Sequence, residues 1–160
     1  MKRVLIEDTR QQSGKHDTKH GWWATHDVAL IRSKLAWGDY ALPPVVCVDT
    51  KANIAELATD IFQQHVRFRE ELKGARDAGV QLVVLVENED GVKDLDDLSR
   101  WNESPRDFAQ RTVAQKRIHG SRLAKACATM EARYGVRFEF CSPDEAAKRV
   151  VSILSEGGAR

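Results

Sequence analysis

Apolar residues along the chain fall into short runs and helical repeats, separated by polar stretches marked by Gly or Pro. The run "RVLIE" (3–7) is bounded by polar sequence and predicts a short buried strand. From Asp8 to His26 the chain is polar and reads as a loop, with Trp22 and Trp23 docking on the body. "VALIRSKLAW" (28–37) fits helix or strand. Gly38 and the Pro43-Pro44 pair frame a hairpin, which favours extended structure for the second half of that segment. "VVCVDTK" (45–51) is then the strand returning from the hairpin.

Ile54, Leu57, Ile61, Val66, Phe68 and Leu72 recur at helical spacing and predict a long helix over 53–78, kinked or straight, ending at Gly79. "VQLVVLVE" (80–87) is a continuous apolar run with the signature of a strand buried on both faces. The acidic segment 88–107 reads as a loop with a short helix, inserted into the core formed by 3–87 and 118–155. A helix over 121–134 stops at Gly135, and "VRFEF" (136–140) alternates as a strand does. Ser142-Pro143-Asp144-Glu145 starts a last helix to about Leu154, with Ser as N-cap, Pro at the first position and Glu closing a capping box. No internal repeat or domain boundary interrupts residues 1–160, which read as one α/β domain, a mixed central sheet flanked by helices.

Composition narrows the classes. A chain of 160 residues, 42% hydrophobic, can bury roughly two-thirds of its unfolded surface and needs no staples. Three cysteines without a CxxC pair argue against a zinc ribbon or redox motif and for free thiols in a reducing compartment. No signal peptide and no run of membrane-spanning length is present, so a cytoplasmic protein away from the membrane is expected. The net charge of +1 hides an asymmetry: "ENEDGVKDLDDL" (87–98) is acidic, and "QRTVAQKRIHGSRLAK" (110–125) is basic with no acid. Lys116, Arg117, Arg122 and Lys125 therefore form the best candidate nucleic-acid patch, against the alternative of an ordinary charged helix face.

The candidate chemistry lies in "WGDYALPPVVCVDTK" (37–51). Asp and Lys are poor strand formers, yet this strand ends Asp49-Thr50-Lys51. Alternate strand residues share a face, so Cys47, Asp49 and Lys51 project together, and the hairpin brings Asp39 towards them. Two carboxylates in proximity repel, and a divalent cation is the usual remedy. Mg²⁺ suits such a site, with one or two carboxylates, waters and substrate phosphates as ligands. Lys51 could orient a water or stabilise developing negative charge, and Asp8 ends the first strand at the same edge. Against this stands a plainer reading: Asp39 as a solvated turn residue, and Asp49 with Lys51 as a weak surface ion pair.

"GDYALPPVVCVDTKANIAEL" resembles the core motif of the XPF-type structure-specific endonucleases of the PD-(D/E)XK superfamily, in which a Gly-Asp pair is followed across a hairpin by Glu-Arg-Lys and a helix. The resemblance covers residues 3–87 well and the rest in outline. It implies a restriction-endonuclease-like fold. It also implies metal binding at Asp39 and Asp49 with Asp8 in support, catalysis by Asp39, Asp49 and Lys51 with Mg²⁺ or Mn²⁺, and DNA contacts from Arg10 and Arg67. The chain departs from the family's pattern in having Asp49 for Glu, Thr50 for Arg and Gln11 for Glu, and Glu56 stands one place later than the family's next acid. The implied activity is cleavage of branched or flapped DNA in recombination or repair, by a homodimer pairing through residues 143–154, where Ala146, Val150, Ile153 and Leu154 form an apolar stripe. The plainer reading packs that stripe on the sheet. The compact chain, with no helicase or helix-hairpin-helix module beside it, leads to the expectation of a phage or prophage protein acting in the host cytoplasm. A Holliday-junction resolvase or restriction-like nuclease of the same superfamily is an alternative, as is a nuclease-inactive DNA-binding or scaffold subunit. His16, His20 and His26 read as exposed loop residues, and Trp37 and Tyr40 as core.

Overall fold

The computed structural model describes residues 3–42, 46–110 and 116–157. Six strands form one mixed sheet in the order β2-β1-β3-β4-β5-β6. Strand β1 (Arg3–Asp8) leads through helix α1 (Asp17–Thr25) into β2 (Val28–Ser33), which runs parallel to β1 from Arg3↔Val28 to Asp8↔Ser33. Strand β3 (Tyr40–Leu42) pairs antiparallel with β1 and with β4 (Val46–Lys51). Beyond it, β5 (Gln81–Glu87) and β6 (Arg137–Cys141) continue the sheet in parallel. The hairpin joining β3 to β4 is present; its Pro43-Pro44 turn lies outside the described residues.

Central position explains the composition of β5. Leu82, Val84 and Val86 face one layer with α2 (Ile54–Phe62), α3 (His65–Asp77), α4 (Leu95–Arg100) and α6 (Gly120–Tyr134). Val83 and Leu85 face the other layer, with α1 and α7 (Pro143–Gly157). Residues 83–86 are all fully buried. Each such side chain contributes about 1.5–3 kcal/mol relative to exposure. Ala146, Val150, Ile153 and Leu154 of α7 are buried inside the same chain, so the expected apolar stripe packs on the sheet and presents nothing to a partner.

Three local expectations need correction. The stretch read as loop contains α1, whose sequence has almost no apolar periodicity; one residue, Trp23, anchors it, 1% exposed, its indole N–H donating to Ala147 O at 3.0 Å. In 28–37 the strand is the first half, because β1 offers Val28–Ser33 a parallel partner and the second half crosses to β3. The long helix is broken at Gln63-Gln64 into α2 and α3.

The acidic segment carries α4 and a second short helix, α5 (Pro105–Gln110). Leu98 is fully buried against the α6 layer, and Glu103 accepts the Ile118 N–H at 3.0 Å. Gly120 allows this close approach: a Cβ there would lie 2.0 Å from the carbonyl oxygens of Leu98 and Trp101. Helix α7 starts as its sequence dictates, with Glu145 accepting the Ser142 N–H at 3.2 Å.

Candidate active site

Asp39 sits where β1, β3 and β4 meet. Its N–H donates to Val48 O at 2.7 Å, and its carbonyl accepts the Asp8 N–H at 2.7 Å. The preceding residue has to be glycine: Gly38 has φ +73°, and a Cβ there would stand 3.0 Å from the Val48 carbonyl oxygen. The Asp39 side chain reaches across to β4, where its Oδ2 accepts the Thr50 N–H at 2.7 Å and the Thr50 hydroxyl at 2.9 Å. Burial, then the charge of Asp49, pushes the Asp39 carboxyl up to about 8 despite those bonds. Two carboxylates thus compete for one site, and without a cation one of them keeps its proton.

Asp49 and Lys51 leave β4 on the same side, as strand alternation requires. Lys51 Nζ lies 2.7 Å from Asp49 Oδ2 and 2.5 Å from Asp60 Oδ2 on α2. Burial works against its charge, but Asp49 and Asp60 outweigh burial and hold its pKa above the usual lysine range. Lys51 is therefore a fixed ammonium, suited to stabilising charge and unsuited to taking a proton. Asp49 Oδ2 is buried and, for all its closeness to Lys51, receives no well-directed hydrogen bond from the described residues.

These groups line a cleft of about 300 Å³ with Asp8, Arg10 and Arg67. Asp8 is committed: its carboxylate pairs with the Arg10 guanidinium and accepts the N–H groups of Arg10 and Leu35. Burial alone would raise its pKa, and Arg10 overrides that and lowers it. Arg10 and Arg67 extend from the cleft wall into solvent, with side chains 61% and 74% exposed. Lys116, Arg117 and Arg122 are not brought to this cleft; they line a separate groove beside Phe62.

Pattern reading along the strand missed two acids. Asp60 holds Lys51 and lies 3.4 Å from Arg67. Glu71 accepts the Gly38 N–H at 3.3 Å, and its pKa is raised by burial and then by Asp49. Glu71 is one more charged residue on a charged helix, whereas Asp60 stands out as an acid among the buried Leu57, Ala58 and Ile61 of the mostly apolar α2; the packing of α2 and α3 on β4 gives both their partners. Glu56 lines the cleft, but its carboxylate is engaged at the start of α2. It accepts the N–H of Ala52, the residue before the N-cap, at 2.6 Å, while the N-cap Asn53 side chain accepts the Glu56 N–H at 2.8 Å. His16 is also a correction: it is buried in the cleft wall, and burial followed by Lys19 lowers its pKa to about 4. Its burial comes with α1, which places Lys19 beside it and 2.6 Å from Glu87. His20 bonds Glu7, and His26 stacks on Trp22. Tyr40 is fully buried against Trp23, as core.

Among the described residues no group of three or more His, Cys, Asp or Glu side chains forms a ready metal cage. The arrangement of Asp39 and Asp49 nevertheless suits a hard cation. The raised Asp39 carboxyl and the Asp49 carboxylate, whose buried Oδ2 has the Lys51 ammonium at 2.7 Å as its counter-charge, lie in one polar cleft, and Mg²⁺ uses one or two carboxylates and completes its shell with water and phosphate.

Comparison of the sequence with protein-family models and with curated proteins finds no match. Solved structures do match. The chain is similar to XPF from Aeropyrum pernix, at 18% identity and a TM-score of 0.67, over 98% of this chain and 66% of that one. It is likewise similar to XPF from Aeropyrum pernix in complex with DNA, at 18% identity and a TM-score of 0.66, over 98% of this chain and 65% of that one. The chain thus spans about two-thirds of the length of these structures. It has the fold of their matching part, a six-stranded mixed sheet between helical layers.

Proposed function

We propose that the protein is a Mg²⁺- or Mn²⁺-dependent DNA endonuclease that hydrolyses phosphodiester bonds in branched or flapped DNA. One observation carries the reading: Asp39, Asp49 and a permanently charged Lys51 converge in one cleft, on a fold shared with XPF structures. Arg10 and Arg67 extend from the wall of that cleft, where a sugar-phosphate backbone would lie.

Asp39 and Asp49 would hold the cation, which supplies Lewis-acid polarisation of the scissile phosphate and a lowered pKa for water. The chain's own groups do the rest. Thr50 fixes the Asp39 carboxylate with two hydrogen bonds. Asp49 and Asp60 hold Lys51 in place and charged, so that its ammonium can offset the negative charge that builds on the phosphate as water attacks. Arg10, held by Asp8, and Arg67, near Asp60, would contact the backbone from the cleft wall.

The test is incubation of the protein with labelled flap, fork, four-way-junction and linear DNA in Mg²⁺, Mn²⁺, Ca²⁺ or chelator. Cleavage confined to Mg²⁺ or Mn²⁺ and favouring branched DNA is expected. Ca²⁺, with its looser coordination, should support binding with little cutting. Preference for the four-way junction alone would favour a resolvase, and equal cutting of linear DNA a restriction-like enzyme. No cutting of any DNA with either metal would leave a binding or scaffold role.

A further inference from the structure

A second groove, of about 460 Å³, runs between the α2–α3 junction and α6, away from the cleft. Phe62, Met130 and Tyr134 supply apolar surface to it, and Phe62 stays 38% exposed. Arg69, Arg122, Lys125 and Arg133 also line it, with no carboxylate among the lining residues. Among the described residues none of these four cations is ion-paired, in a protein where most other arginines are. The Arg122 guanidinium lies 5.0 Å from the centre of the Phe62 ring. A partly exposed aromatic with an arginine beside it, an apolar wall and cations without carboxylate partners are what a nucleic acid strand with unstacked bases requires. A fully paired duplex buries its bases and has no use for the apolar part.

Helix α3 connects the two sites. His65 and Arg69 line the groove, whereas Arg67 and Glu71 line the catalytic cleft. Residues four apart share a helix face, and a two-residue offset turns about 200° to the opposite one. The helix with its side chains is about 10–12 Å across. At about 3.4 Å per nucleotide a stacked strand would need three or four nucleotides for that width, and an unstacked one fewer, so an arm of two is spent on the crossing and leaves no base for the groove.

We propose that this groove binds unpaired DNA, receiving the single-stranded arm of a branched substrate a few nucleotides from the bond placed in the cleft. The inference rests on the nuclease reading and supplies it with a source of structure selectivity: the cleft reads backbone, and the groove reads the absence of pairing.

The test measures anisotropy, in chelator so that nothing is cut, for a labelled blunt duplex and for the same duplex with oligo(dT) arms of two or six nucleotides at either strand end. The readout is the ratio of armed to blunt affinity. For the parent, six nucleotides of one polarity should raise affinity on the order of ten-fold, the scale of one or two stacked bases, and two nucleotides should add little. Phe62→Ala should bring the ratio close to one, and Phe62→Trp should retain it. A role for Phe62 in folding alone would change both DNAs together and leave the ratio intact, which would overturn the proposal. So would an arm that gives no gain, or a gain that survives Phe62→Ala. Self-association of the parent lost in Phe62→Ala, with no arm effect, would make the groove an interface between copies instead. The nuclease reading fails separately: a protein that cuts DNA but ignores arms loses only this inference.

Discussion

Asp39 Oδ2 accepts two hydrogen bonds from Thr50, one from its N–H and one from its hydroxyl. The middle residue of Asp49-Thr50-Lys51 therefore positions the acid that precedes β3, although its own side chain carries no charge. Thr50→Val keeps the shape and the N–H bond and removes the hydroxyl. Thermal or urea unfolding should show a loss of about 1 kcal/mol. Cation affinity and cleavage should fall together by about ten-fold, because the carboxylate loses part of its hold. Unchanged metal titrations in Thr50→Val would contradict this role.

The raised Asp39 carboxyl links stability to pH. Unfolded, it ionises near 3.8; in the folded, metal-free protein it keeps its proton up to about 8. Between those values the folded state holds a proton that the unfolded state has released, so stability falls as pH rises through that window and levels off above it. Urea midpoints in chelator should decline from pH 5 to 8 for the parent, and less steeply for Asp39→Asn. Binding a cation must expel that proton, so affinity should rise about ten-fold per pH unit below 8 and then flatten. Calorimetric titration with Mg²⁺ at pH 6, 7 and 8 checks the slope.

Asp60 acts through Lys51, 2.5 Å away. Asp60→Asn leaves Asp49 to pair with the ammonium but removes the second anchor, so kcat should fall by about ten-fold while KM and metal affinity hold. Lys51→Ala leaves two buried carboxylates without their shared cation and should cost stability as well as activity, on the order of 3 kcal/mol. Denaturant melts beside single-turnover kinetics separate the two effects.

Much of this site was legible in the sequence because it is local. Asp39, Asp49 and Lys51 lie on a hairpin whose two-residue strand period fixes which side chains share a face. β5 and α7 were equally readable, one from its unbroken valine-rich run and the other from its cap. Long-range partnership was not. Nothing in the period of α3 sets Glu71 apart from its charged neighbours; Asp60 falls on the buried apolar face of α2, but its partner, like that of Glu71, is set only by packing against β4 and Gly38. α1 is anchored by Trp23 on α7, 124 residues away in sequence, so a window moving along the chain sees two adjacent tryptophans in polar sequence and no helical period. That omission carried His16 with it, whose burial depends on the helix.

Gly38 gives a prediction about the scaffold. Gly38→Ala forces a side chain into left-handed backbone and against the Val48 carbonyl. The conformation alone costs roughly 1–2 kcal/mol, and the contact adds to it. The melting temperature should drop by several degrees, and the loss should be larger than for alanine at Gly21, where a Cβ meets nothing within 4 Å. Equal melting temperatures for the two would contradict the account.

The central claim is that Asp39 and Lys51 belong to a phosphodiester-cleaving site. It is tested most directly by cleavage of flap DNA in Mg²⁺ by the parent, Asp39→Asn and Lys51→Ala, each shown to be folded by its melt. The account predicts that cutting falls by at least about 10²-fold in both variants. DNA affinity without metal should hold in Asp39→Asn, because the metal-free Asp39 carboxyl already keeps its proton up to about 8 and sets no charge against the phosphate. Folded variants that cut as fast as the parent, or a parent that cuts fully in excess chelator, would contradict it.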